Sequence, residues 1–416
     1  MNIALLGAGT VGGSLLEILS RDRERIAGVN GAPVTITKVL EPDRSKHERI
    51  RAYGASIAAT LDDITGDPSV EVVVELIGRI DPSREMVLRS LEAGKHVVTA
   101  NKDLISEHLD EFLEVASRRN VAILFEASVC GAIPIIKTLA NHLRSNRIDR
   151  IAGIVNGTTN YILTKMAETG ASLEDALKEA QRLGYAESDP TADVRGLDAA
   201  RKICILARLA YGVPARPGGI SVEGIENVTA GDISAGKATG MVLKILAVAA
   251  RQDGGDGVEV RVHPAYVPAT HQLASVTDSF NAVEIRGFPM DNLFFVGRGA
   301  GGMPTASAIV GDLLEIQRAR ESAAVSSLND YGISRLLRPE ELRSRWLVRG
   351  RPGAGGGVAK VLRSCGMALE RTVVVDPATG EVAAFTGAVL DQEMNRCMER
   401  LAAQGFSGAR ALRYLT

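Results

Sequence analysis

The run NIALLGAGTVGGSLLEILS, residues 2–20, constrains the fold more than any other stretch of the chain. Ile3 to Leu6 is a short apolar run that reads as a buried strand. Gly7-Ala8-Gly9-Thr10-Val11-Gly12 follows, and an apolar-periodic helix then runs to about Leu19. A glycine pattern that ends a strand and opens a helix has a specific physical use. Gly7 permits the tight turn, Gly9 lets the backbone approach a pyrophosphate, and Gly12 lets the helix pack close to the strand. The helix N-terminus then faces the phosphates. Gly7, Gly9, Thr10, Val11 and Gly12 are therefore the candidate cofactor contacts.

The alternation continues. VTITKVL (34–40), VEVVVELIG (70–78), KHVVTA (95–100) and VAILFEA (121–127) read as strands. SREMVLRSLEAG and EHLDEFLEVASRR read as helices, with Gly94 as a stop signal. Strand–helix alternation implies a doubly wound parallel sheet over residues 1–130. At the end of the second strand, Glu41 could accept from a ribose hydroxyl and favour NAD. Arg44 and Lys46 could instead hold a 2′-phosphate and favour NADP. Asn101 and Lys102 lie just past a later strand, where ligands sit in such sheets. EASVCGAIPIIKTL leaves the fifth strand through Glu126 and a small-residue turn. Carbonyls beside a carboxylate suit a hard cation.

At 416 residues the chain predicts two or three domains. A net charge of −2 argues against nucleic acid or an acidic membrane as partner, and 4% aromatic content argues against base stacking. The apolar runs are too short to span a bilayer, and the N-terminus lacks the basic region of a signal peptide. Cys130, Cys204, Cys365 and Cys397 are scattered with no CxxC pair. The expectation is a reduced, cytoplasmic chain without a zinc site.

A second informative stretch is AQRLGYAESDPTADVRGLDAARK, residues 180–202. Ser172 and Asp175 open the preceding helix and Gly184 stops it. Asp189-Pro190 then restarts the chain, with Asp189 as a cap. Asp198 and Lys202 are four apart and share a helix face. An exposed pair of this kind is worth about 0.3–0.5 kcal/mol and needs no function. The helix beyond Lys202, however, is apolar nearly all round (ICILARLA) and reads as buried. A pair at the mouth of a buried helix is placed to face a cleft.

The chain resembles the homoserine dehydrogenase family. Ala180, Gly184, Tyr185, Ala186, Asp189, Pro190, Asp193, Val194, Gly196, Asp198 and Lys202 fill that family's signature in register. TANK, EASV…GAIP, GIVNGTTNYIL (153–163) and GRGAGGMPTASAIVGDLL (297–314) look like family segments in order. The resemblance covers roughly residues 1–325. It implies a Rossmann domain over 1–130 completed by about 300–325, and an α+β catalytic and dimerisation domain over 131–300. It implies reversible hydride transfer between NAD(P)H and aspartate 4-semialdehyde, giving L-homoserine, and a small-molecule enzyme that forms a homodimer or higher homo-oligomer. Carried over by position, Lys202 is the general acid/base and Lys102 the second lysine, close to nicotinamide and substrate. Asp198 and Asp193 hold the amino-acid end and orient the lysine. Glu187 binds the substrate ammonium, with Tyr185 beside it. Glu126 and the carbonyls of Val129, Gly131 and Ile133 map to a monovalent-cation loop, usually sodium. Gly301, in GAGG, returns the chain to the cofactor domain.

Three departures stand out: Pro42 where the family often has Arg, Arg79 in ELIGR, and Cys130 in the cation loop. Cofactor choice between NAD and NADP stays open, with the resemblance leaning to NADP. Two other readings compete: a paralogue acting on a related semialdehyde, and a non-catalytic amino-acid sensor. Residues 343–416 predict strand, helix, strand, turn, strand, helix, which resembles an ACT-type ligand-binding domain. Its RPG is followed by extra glycines that loosen the turn toward an effector such as threonine.

Overall fold

The computed structural model describes residues 1–252, 257–322, 335–352, 357–406 and 408–415. These form two compact units. No helix among them is long and apolar enough to cross a membrane.

The first unit comprises Met1–Ser145, Cys204–Gly212 and Gly297–Tyr331. Its strands are β1 (Asn2–Leu6), β2 (Thr35–Leu40), β3 (Ser56–Ile57), β4 (Val72–Glu75), β5 (His96–Thr99) and β6 (Ile123–Leu124). They pair in parallel in the order β3-β2-β1-β4-β5-β6. Alternation along β1 sends Ile3 and Leu5 to one face and Ala4 and Leu6 to the other. Both faces are covered, so all four are fully buried. Ile3 and Leu5 pack with Leu15, Leu16 and Leu19 of the helix Thr10–Arg21 and with Ile309 and Leu313 of the helix Gly302–Ser322. Ala4 and Leu6 pack with Leu61 and Ile64. Each such buried Leu or Ile contributes roughly 1.5–3 kcal/mol. The strand order reverses at β1, and doubly wound sheets open their ligand crevice at the carboxyl end of that switch point.

The second unit comprises Asn146–Ile203, Val213–Val296 and Gly332–Thr416. Its strands are β7 (Arg147–Ile154), β8 (Ser221–Val222), β9 (Met241–Arg251), β10 (Gly257–Pro268), β11 (Phe280–Phe288), β12 (Asp291–Arg298), β13 (Arg335–Leu336), β14 (Arg343–Ser344), β15 (Trp346–Gly350), β16 (Leu369–Asp376), β17 (Glu381–Thr386), β18 (Val389–Leu390) and β19 (Arg410–Tyr414). The main path runs β12-β11-β7-β9-β10-β19-β15-β17-β16, with β8 and β13 beside β10 and β14 paired to β18. The glycine- and proline-rich composition of residues 213–270 predicts loops and sheet edges, with VEVRVHPAYVP (258–268) as an alternating strand. That strand is β10; the structure adds β9, not foreseen, in a long antiparallel ladder with it from Val258↔Arg251 to Pro268↔Met241. MVLKILAVAAR is buried on both faces of the sheet. It therefore shows a continuous apolar run rather than alternation.

The C-terminal residues show strand, helix, strand, strand, helix, as the sequence predicts, and then a further strand. That last strand, β19, pairs with β15 and also with β10, at Ala265↔Arg413 and Tyr266↔Tyr414. The glycine run at 353–356 lies outside the described residues. The fold class is the expected one: an N-terminal parallel α/β sheet, a mixed sheet, and a strand-rich C-terminal part.

Candidate active site

In the first unit, the turn after β1 behaves as its glycines require. Gly7 has φ +90°, and a Cβ there would lie 3.0 Å from the Leu76 carbonyl. A Cβ on Gly12 would lie 2.6 Å from the Gly7 carbonyl, while one on Gly9 would meet nothing within 4 Å. The turn is thus closed toward the protein and open at Gly9, where a diphosphate would approach. The helix Thr10–Arg21 that follows has no side-chain cap, so its first amides are available to an anion. The helix Gly302–Ser322 closes in from the other side. A Cβ on Gly302 would come within 2.4 Å of Ser14 Oγ, which explains a glycine at the end of GAGG. Gly301 stands just before it at φ +119°.

A cavity of about 500 Å³ opens on this turn, lined among others by Gly9, Thr10, Gly13, Ser14, Lys46 and Arg49. Glu41 is buried and fully engaged. Its Oε2 accepts the Ala8 N–H (2.7 Å) and Lys46 Nζ (3.2 Å), and its Oε1 accepts the Asp43 N–H (3.0 Å). Burial would raise its pKa, but the Asp43 and Ala8 amides and the Lys46 ammonium outweigh it and hold the carboxyl below its ordinary value. Arg44 is exposed and does not line this cavity; Arg49 does. Sequence reasoning missed Arg49, although it stands three residues after Lys46 and so on the same helical face.

Further along the strand ends, Glu75 is fully buried. It accepts from the Ile77 N–H (2.8 Å), Ser83 Oγ (2.9 Å) and Thr99 Oγ1 (2.6 Å). Thr99 Oγ1 in turn accepts the Asn101 N–H, and Asn101 Nδ2 donates to the Arg79 carbonyl at 2.8 Å. Asn101 also caps the helix Lys102–Arg119 through Leu104 N–H. Lys102 is the half-buried first residue of that helix.

The cation turn follows β6. Glu126 is buried, and its two oxygens accept the N–H groups of Ile136 (2.9 Å) and Lys137 (2.8 Å). Cys130 and Gly131 both have positive φ, +55° and +48°, so the turn coils tightly between Val129 and Ile133. The Glu126 N–H donates to Asp312, which pairs with Lys137 at 3.0 Å. Burial pushes the Glu126 carboxyl above its ordinary value and the Asp312 carboxyl up to about 7.

In the second unit, β7 ends at Ile154 and delivers Val155 and Asn156 to the start of the helix Gly157–Thr169. Asn156 is its cap, with Oδ1 accepting the Thr159 N–H at 2.9 Å. A Cβ on Gly157 would lie 2.6 Å from the Ser279 carbonyl, so only glycine fits there. Ser172 and Asp175 cap the next helix, Leu173–Arg182, and Gly184 ends it at φ +77°. Asp189 accepts from Thr191 N–H at the start of the short helix Thr191–Val194. The sequence predicts one continuous helix from here. The chain instead breaks at Gly196, φ +76°, before the helix Leu197–Tyr211 begins.

That break aims three side chains at one point. Lys202 Nζ donates to Asp198 Oδ2 and to the Val155 carbonyl, each at 2.7 Å. Asn156 Nδ2 donates to Asp198 Oδ2 (2.8 Å) and Asp193 Oδ1 (2.7 Å). Lys202, Asp198 and Asn156 are only 8%, 7% and 5% exposed, which rules out an ordinary surface ion pair. Burial pushes the Asp193 carboxyl above its ordinary value; the Asn156 amide opposes this and the Asp198 charge adds to it. Of the other expected residues, Tyr185 is exposed with its ring 5.0 Å from that of Tyr161, and Glu187 lies on the exposed turn. The structure does not bring Glu187 into the Lys202 cluster.

Asn156, Asn160, Lys244 and Asn281 are residues that sequence reasoning left without a role. Asn160 Nδ2 donates to the carbonyls of Val276, Asp278 and Phe280, and its Oδ1 accepts from the buried Lys244. Asn281 Nδ2 donates to the same Val155 carbonyl that Lys202 uses. The signal for Asn156 and Asn160 was the string NGTTN itself; Lys244 and Asn281 stand in no such motif.

Two family models match the chain: one described as homoserine dehydrogenase, over residues 134–314, and one as homoserine dehydrogenase, NAD binding domain, over residues 7–126. The homoserine dehydrogenase of Neisseria gonorrhoeae is 36% identical over 417 residues, covering 97% of this chain and 95% of that protein. That of Bacillus subtilis is 42% identical over 318 residues, covering 76% and 73%. The crystal structure of a homoserine dehydrogenase from Thiobacillus denitrificans matches with a TM-score of 0.93 at 34% identity, covering 100% of this chain and 98% of that one. A hyperthermophilic archaeal homoserine dehydrogenase in complex with NADPH matches with a TM-score of 0.66 at 27% identity, covering 79% of this chain and 99% of that one.

Proposed function

The chain belongs to the homoserine dehydrogenase family, NAD(P)-dependent oxidoreductases, and on that premise we propose which of its residues carry the reaction. The family interconverts L-homoserine and L-aspartate 4-semialdehyde; the match along nearly the whole chain supports this reading over a paralogue with another semialdehyde substrate. The bound nicotinamide supplies or accepts the hydride. Lys202 is the group that gives the carbonyl oxygen its proton in one direction and takes it back in the other. Asp198 and the Val155 carbonyl hold its ammonium in place. Asp193, bonded to Asn156 beside Asp198, holds the amino-acid end of the substrate, and Glu187, on the exposed turn, is the candidate partner of its ammonium. Lys102 is the second cation at the reacting oxygen or the substrate carboxylate. The observation that carries this reading is the buried Asn156–Asp198–Lys202 cluster. Following NAD(P)H absorbance with homoserine and each cofactor tests it, and no turnover with either would remove it. Lys202→Ala should lower kcat by roughly 10²–10⁴-fold with the circular dichroism spectrum unchanged. A variant within a few-fold of wild type would reject Lys202 as the acid/base.

NADP is the favoured cofactor. Lys46 and Arg49 put two cations on the cavity at the glycine turn, and Glu41, tied to two amides and an ammonium, offers a 2′-phosphate little repulsion. The NADPH bound to the archaeal relative is consistent with this. A sodium ion held by Glu126 and the carbonyls of Val129, Gly131 and Ile133 would add positive charge beside the buried carboxylates of Glu126 and Asp312, the second of which pairs with Lys137. Equal thermal midpoints in sodium and tetramethylammonium chloride would remove that ion. The strand–helix–strand–strand–helix–strand order from β15 to β19 supports an ACT-like ligand-binding part; the family resemblance carries the expectation of a cytoplasmic homodimer. Sedimentation and rate measured with and without millimolar threonine test both ideas.

A further inference from the structure

We propose that Cys365 and Cys397 are a reversible dithiol–disulfide couple that locks two helices of the C-terminal part together. Cys365 ends the helix Val358–Ser364, and Cys397 lies within the helix Asp391–Ala403. Their sulfur atoms are 2.7 Å apart. A disulfide is about 2.0 Å long, so closure needs only a small side-chain rotation. The Cys365 backbone is held at the end of its helix. The Cys365 N–H donates to the carbonyls of Val361 (3.0 Å) and Leu362 (3.1 Å). Both cysteines belong to one apolar cluster with Val361, Leu362, Met394 and Leu401. Packing alone accounts for a buried cysteine as a small apolar side chain. It does not account for two thiols meeting sulfur to sulfur from different helices.

The two sulfurs differ in access, which orders the chemistry. Cys397 is fully buried and Cys365 is half-exposed. Burial, then the neighbouring Cys365, push the Cys397 thiol up to about 12, so it is a poor first nucleophile. Cys365, as thiolate, attacks one sulfur of a low-molecular-weight disulfide. The S–S bond of that disulfide breaks, one thiol leaves, and Cys365 carries a mixed disulfide. Cys397 then gives its proton to solvent and displaces the second thiol. Two electrons and two protons pass from the protein to the small disulfide, which is reduced to two thiols. A low-molecular-weight dithiol reverses both steps.

The test needs no enzyme assay, so it stands apart from the dehydrogenase reading. The full-length protein is incubated with oxidised glutathione, alkylated, and digested with trypsin. The expected product joins the peptide 364–371 to the peptide 397–400, is two hydrogens lighter than their sum, and separates with dithiothreitol. Oxidation should also raise the thermal midpoint of the wild type, and leave that of Cys365→Ser and Cys397→Ser unchanged. Recovery of both cysteines alkylated, or of glutathione on Cys365 with Cys397 alkylated, would overturn the proposal.

Discussion

Asn156 shows how much of this site depends on one amide. Its two N–H groups go to two carboxylates from different segments, Asp193 and Asp198, and its oxygen caps the next helix. Truncation would leave the buried Asp198 and the half-buried Asp193 side by side without their shared donor. A hydrogen bond to a charged group is worth about 1.5–3 kcal/mol, so Asn156→Ala should lower kcat by roughly 10–100-fold. Because the amide acts through Asp198 and Lys202, the loss should fall on kcat more than on KM. A change in KM alone would assign Asn156 to substrate binding instead. Asp193 makes an opposite case. Its folded-state pKa lies above the ordinary 3.8, so the folded protein binds that proton more tightly than the unfolded chain does. The ionised carboxylate therefore costs stability, not at all below the unfolded pKa, and fully once pH has risen past the folded one. Asp193→Asn should raise the thermal midpoint at pH 7 and leave it unchanged near pH 3, while weakening substrate binding. An equal midpoint shift at both pH values would show that packing, not charge, is responsible. Lys202 and Asp198 were legible in the sequence because helical spacing relates residues four apart. Asn156 was not, since it meets Asp198 across 42 residues and only folding sets that distance.

Elements decide what the cofactor end of the molecule can hold. The turn after β1 was readable in full, because each glycine answers a local demand: a positive φ at Gly7, open space at Gly9, a close carbonyl at Gly12. The residues that choose between cofactors were readable only in part. Lys46 was named from LEPDRSK, but Arg44 is not among the residues lining the cavity and the helix His47–Ala52 supplies Arg49 in its place. No motif fixes that choice, because it depends on where β2 ends and how the next helix turns. If Arg49 contacts a 2′-phosphate, Arg49→Ala should raise KM for NADPH about tenfold, the loss of roughly 1.4 kcal/mol, and leave KM for NADH nearly unchanged. Parallel losses with both cofactors would place Arg49 on the shared diphosphate and not on the 2′-position.

Across the second unit as a whole, sequence periodicity reported the C-terminal elements but not their attachment. GARALRYLT contains no long alternating run, yet β19 joins β10 on one side and β15 on the other. Its partners on β10 are about 150 residues away in sequence, a range no local pattern covers. Buried charge reinforces the seam. Asp232, fully buried in the helix Ala230–Thr239, accepts from Arg349 Nε of β15 at 2.8 Å and pairs with Arg410 of β19 at 3.2 Å. Arg349 reaches on to Glu381 of β17 (2.7 Å) and Thr229 (3.0 Å). A buried pair of this kind adds little over an apolar pair of the same volume, but removing one partner leaves uncompensated charge. Asp232→Ala strips one carboxylate from two guanidinium groups and ends the capping box with Thr229. The expected cost is about 3–5 kcal/mol in urea unfolding. Asp232→Asn should cost less, because it keeps an acceptor and the helix cap. Equal losses in the two variants would mean that the cavity, and not the charge, sets the energy. A loss below about 1 kcal/mol in Asp232→Ala would mean that the β10–β19 ladder alone holds the C-terminal strands to the sheet.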